Sequence, residues 1–146
     1  LNMQKSDSDR FIARYDEYYA RVEKELAGGR KESHWMWFIF PQINGLGLSE
    51  TSRLYAIKSM EEAKAYLEHP VLGKRLKEIS TALLQLETDN ARLVFGSPDE
   101  VKLHSCMTLF AIADQENPDN VFKKVIAKYF MGKYDKNTIR ILEGSN

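Results

Sequence analysis

The feature that most restricts what this chain can become is a spacing. Leu72, Leu76, Ile79, Leu83 and Leu86 recur at steps of four, three, four and three. On a helix of 3.6 residues per turn they fall on one stripe that a neighbouring element must cover. Phe11, Tyr15, Tyr18, Val22 and Leu26 recur at four, three, four and four, again a helical stripe, and the doublets Val121/Phe122, Val125/Ile126 and Tyr129/Phe130 make a wider apolar face. Three such faces in one short chain require helices packed on helices.

The punctuation between the stripes sets the element boundaries. Asp7 or Ser8 can cap the first helix, leaving residues 1–8 as a flexible tail, and Gly28-Gly29 can end it. Ser49 caps a short helix reaching about Ile57, and Ser59 with Glu62 has the spacing of a capping box. Pro70 ends that helix and suits the first turn of the next, with His69 capping or closing the turn. Asp89 caps a short helix that stops at Gly96, and SPDE opens a helix over 98–115. Asn117-Pro118 breaks the chain, Gly132 ends the helix after it, and a last helix from Asp135 buries Ile139 and Leu142. No repeat or linker interrupts the series. The expected fold is all-α, a single compact domain over 1–146 with seven to nine helices around one aromatic segment.

That segment is SHWMWFIFPQINGLG, residues 33–47, which holds both tryptophans of the chain. Every position of WMWFIF is apolar, so periodicity cannot assign it. Ser33 as cap and Pro41 as stop favour about two turns of helix, with a buried strand as the alternative. Its rings either form the centre on which other helices pack, or one indole face joins the polar residues His34, Gln42 and Asn44 in lining a pocket.

Charge and cysteine content narrow the function classes. The 146 residues carry 21 Lys plus Arg against 21 Asp plus Glu, so there is no electrostatic surplus for a phosphate backbone and nucleic acid is not an expected partner. The one cysteine, Cys106, forms no intramolecular disulfide and fits a reducing, cytoplasmic setting. No apolar run approaches the ~18 residues of a membrane span, and the polar opening lacks the apolar stretch of a secretion signal.

SHWMWFIFPQ, EAKAYLEHPVLGKRL and FGSPDEVKLHSCMTLF, in this order, resemble the family known as domain of unknown function 1810, over about residues 9–142. The resemblance implies a mainly helical single domain and supplies no catalytic residues. A calpastatin-like label attached to some members implies a disordered, lysine- and proline-rich chain, which 4 prolines and strong apolar patterning exclude here.

The second candidate region lies on the 98–115 helix. Asp99, Lys102 and Ser105 fall within an arc of about 120°, a polar stripe on an otherwise apolar helix. Either Asp99 neutralises Lys102 three residues later, or Lys102 meets a ligand carboxylate or phosphate with Ser105 as second donor. His104 and Cys106 project ~200° apart, so they do not form a dyad, and Cys106 reads as a small core residue. His34, His69 and His104 have no metal-binding spacing, and neither a metal nor a cofactor is expected. The candidate ligand site is therefore His34, Trp35, Trp37, Gln42, Asn44, Lys102 and Ser105, for a small polar or nucleotide-like molecule. The competing expectation is a protein-interaction or self-association module using Tyr15, Tyr18 and Tyr19.

Overall fold

A computed structural model describes residues 4–144. The described residues form nine helices: α1 (Lys5–Ala27), α2 (Met36–Ile39), α3 (Glu50–Tyr55), α4 (Met60–Glu68), α5 (Leu72–Leu84), α6 (Ala91–Phe95), α7 (Asp99–Ala113), α8 (Val121–Phe130) and α9 (Lys136–Gly144). They contain no strand, only an isolated parallel bridge between Ile43 and Ile57.

The stripes do what their spacing requires. Phe11, Tyr15, Val22 and Leu26 of α1 are buried, as are Leu72, Leu76, Ile79 and Leu83 of α5, while Tyr18 and Leu86 pack at the core's edge. Helix α7 is the centre: α4, α6, α8 and α9 all pack on it, and α5 sits against α1, α4 and α8. Surrounded this way, α7 buries Leu103 and every residue from Ser105 to Ala111. Crossing α4 and α5 come so close at Gly73 that a Cβ there would stand 2.0 Å from the Leu67 carbonyl oxygen. Only glycine fits.

The caps correct several expected boundaries. Helix α1 begins after Gln4, so residues 5–8 are its first turns; Leu1, Asn2 and Met3 of the expected tail lie outside the described residues. Helix α6 is capped by Asn90, whose Oδ1 accepts from the Arg92 and Leu93 amides, and not by Asp89. Ser49 and Ser59 cap α3 and α4 as expected, and His69 Nδ1 accepts from the Val71 and Leu72 amides ahead of α5. In α9 the fully buried side chain is Thr138, whose hydroxyl donates to Asp135 Oδ2 at 2.6 Å, while Leu142 is partly buried against the core and Ile139 only half-buried.

Candidate functional site

The aromatic segment is a helix, but α2 has one turn of four residues, not two, and Ser33 is not its cap. The side chain of Ser33 is spent elsewhere. Glu25, at the end of α1, points its carboxylate into the 32–35 loop: Oε1 accepts from the Glu32 amide at 2.7 Å, the Ser33 amide at 2.9 Å and the Trp35 indole N–H at 2.9 Å, and Oε2 accepts from the Ser33 hydroxyl at 2.6 Å. Burial alone would raise the Glu25 pKa, but these four donors outweigh it and hold it at about 2. The buried indole thereby finds its partner in the protein.

Trp35 is fully buried, packed edge-on to Phe95 and tilted against Phe40, while Phe38 meets Tyr18 and Tyr55. Trp37 faces the other way and is only partly buried. Each indole carries a lysine over its face. Lys31 Nζ stands 5.1 Å from the Trp35 ring centroid, and Lys102 Nζ stands 4.6 Å from that of Trp37. One carboxylate joins them: Asp99 Oδ2 lies 2.8 Å from Lys31 Nζ and Oδ1 lies 3.4 Å from Lys102 Nζ. The neighbouring Glu100 is taken by Arg92 at 3.0 Å. The cluster therefore holds two ammonium groups and one carboxylate, and Lys102 is its more exposed, more loosely held cation, at 21% against 7% for Lys31.

The structure thus brings Trp35, Trp37 and Lys102 into one chain of contacts through Lys31 and Asp99, with Glu25 holding the Trp35 N–H; neither Lys31 nor Glu25 stood out in the sequence. It gives the other four candidates separate surroundings. Ser105 Oγ donates to the Val101 carbonyl and to Asp135, in the network that caps α9. Gln42 and Asn44 pair through their backbones with Ile57, and the Asn44 side chain is exposed, as is His34. His104 stacks on Phe130, centroids 4.0 Å apart, and approaches the Lys133 carbonyl, whereas Cys106 is sealed in the core, where burial drives its thiol pKa well up. Tyr15 and Tyr66 are equally enclosed, and burial raises both phenols.

Three surface grooves open elsewhere, of about 500, 450 and 320 Å³. The second borders the Glu25 loop and is edged by Arg21, Lys24 and Arg30. None of the three is lined by Trp37 or Lys102. No helix among the described residues is long and apolar enough to cross a membrane.

The fold is similar to the crystal structure of the conserved hypothetical protein Rv1873 from Mycobacterium tuberculosis, with a TM-score of 0.89 and 44% sequence identity over 94% of this chain and 96% of that one. No curated protein matches the sequence. The family described as "Protein of unknown function (DUF1810)" matches residues 5–142, covering α1 and all of the aromatic segment, and the chain belongs to it.

Proposed function

We propose that this domain binds a small anionic molecule with a flat ring, a carboxylate or phosphate joined to an aromatic or base, beside Trp37 and Lys102. The observation that supports this is the charge count at Asp99: one carboxylate serves two lysines, each stacked on an indole. The surplus positive charge sits on Lys102, next to a partly exposed ring able to stack a ligand. His34, Gln42, Asn44 and Ser105 contribute little to this version of the site, since they are exposed or engaged elsewhere. No reaction is assigned.

A thermal-shift screen of nucleotides and aromatic carboxylates tests the reading through the sign of two substitutions. Lys102→Ala and Trp37→Ala should each abolish the stabilisation by a hit, while Asp99→Asn, which frees both lysines, should preserve or strengthen it. Binding that survives Lys102→Ala, or that Asp99→Asn removes, defeats the assignment. The competing reading, a partner surface on the tyrosines of α1, is weakened because Tyr15 lies wholly in the core. Light scattering that finds a dimer broken by substitutions at Tyr18 would revive it.

A further inference from the structure

The largest of the three grooves lies between α1 and α5, away from the indoles. Its floor is apolar, built from Leu26 and Ile79, and its rim carries Tyr19, Glu23, Glu78 and Gln85. At about 500 Å³ it has the size of a small-ligand site. Both acidic residues on the rim lack a close cation. Glu23 makes no ion pair among the described residues, and Glu78 meets only the exposed Lys74, at 3.9 Å, too far for a hydrogen bond. Arg75, the nearest guanidinium, is drawn off to Asp16 at 2.8 Å and lies over the Tyr15 and Tyr19 rings.

Tyr19 prepares the site. Its hydroxyl donates to Glu78 Oε2 at 2.9 Å. Burial, followed by this bond to Glu78, raises the phenol pKa, so Tyr19 stays neutral and remains the donor. The bond fixes Oε2, while Oε1 has only the exposed Lys74 at 3.9 Å.

From the apolar floor and two rim carboxylates, Glu23 with no ion pair among the described residues and Glu78 with only the exposed Lys74 at 3.9 Å, we infer that this groove binds a small organic cation, an ammonium or amidinium on an apolar body. The body lies on Leu26 and Ile79, and the charged head sits between Glu23 and Glu78 with the Gln85 amide beside it. This site is separate from the one at Trp37, and either can fail without the other.

Titration of the isotopically labelled protein with phenethylamine, benzamidine and the neutral control phenethyl alcohol, followed by amide NMR, decides the matter. The cations should give saturable shifts confined to residues 19–27 and 78–86, and the alcohol should not. Glu23→Gln with Glu78→Gln should weaken the cations about tenfold, as expected for losing charge-assisted contacts, and Ala82→Phe should block the groove with no change in charge. Equal binding of the alcohol, shifts that map elsewhere, or no saturable shift at millimolar concentration overturns the inference. A lysine-containing apolar peptide that binds more tightly than the free amines and is blocked by Ala82→Phe overturns the small-molecule assignment in favour of a protein partner.

Discussion

Glu25 decides where the Trp35 indole goes. Without its carboxylate the Trp35 N–H would be buried with no acceptor, costing ~1–3 kcal/mol, and the part-buried Glu32 and Ser33 amides would lose theirs. Because its pKa is lowered from 4.5 to about 2, the folded state favours the ionised form. Its stabilisation is complete above the unfolded-state pKa and is lost as the pH falls from about 4.5 toward 2. We expect that loss to approach about 2 kcal/mol, discounted from the full shift because solvent reaches part of the carboxylate. Urea titrations of the native chain and of Glu25→Gln across this range should show a steeper acid limb for the native chain; parallel limbs would mean that Glu25 is not the titrating group. The sequence did not reveal this role. Glu25 stands beside the stripe residue Leu26 and meets partners seven to ten residues on, across a loop that has no periodicity to read. The Asp99–Lys102 pair was legible because both sit on one helix three residues apart; Lys31, arriving from another loop, was not.

At the scale of elements, caps with a short reach were readable and those that tie several segments together were not. Ser49, Ser59 and His69 satisfy amides two or three residues away, a relation fixed by local geometry. Asn120 does more. Its Oδ1 caps α8 by accepting from the Lys123 amide, while its Nδ2 donates to the carbonyls of Ala111, Asp114 and Asn117, holding α8 to the end of α7. In sequence the stretch shows only the break at Asn117-Pro118. Asp is ordinarily as good a cap as Asn, yet Asn120→Asp would turn a carboxylate oxygen toward three carbonyls at a position only 3% exposed. The variant should lose at least about 2 kcal/mol at pH 7. Its folded-state pKa is raised, so the penalty exists above that pKa and is relieved as the pH falls through it. Comparing it with the native chain at pH 7 and pH 4 cancels the contribution of Glu25; a gap that does not narrow at pH 4 would show that the amide donates to nothing important. The one-turn length of α2 was hidden for a different reason, since an unbroken apolar run looks the same as helix or strand and only the surrounding rings of Tyr18, Tyr55 and Phe95 set where it ends.

For the molecule as a whole, the stripes made the helical architecture legible, but not the position of α7 at its centre, because a helix buried on all sides loses the contrast between faces that marks the others. That position makes Cys106 a reporter of the entire fold. Its thiol is fully buried in the middle of α7, burial pushes its pKa up, and only the thiolate reacts with a disulfide reagent. To expose it, α7 must separate from α4, α6, α8 and α9 together, which removes the core itself. Labelling of the native protein should therefore be slower than that of the unfolded chain by at least ~10³, the smallest factor expected if global unfolding is required. Under rapid closing, the logarithm of the labelling rate should rise with urea along the slope of global unfolding measured by circular dichroism. A shallower slope would mean that α7 opens by itself, and Asp99, which ties its N-terminal turn to Lys31, is the contact to remove in testing this. Repeating the measurement with Asp99→Asn separates the two cases: a globally opening core shows the same slope with a rate raised only by the lost stability, whereas a locally opening helix shows a faster rate with the shallow slope retained.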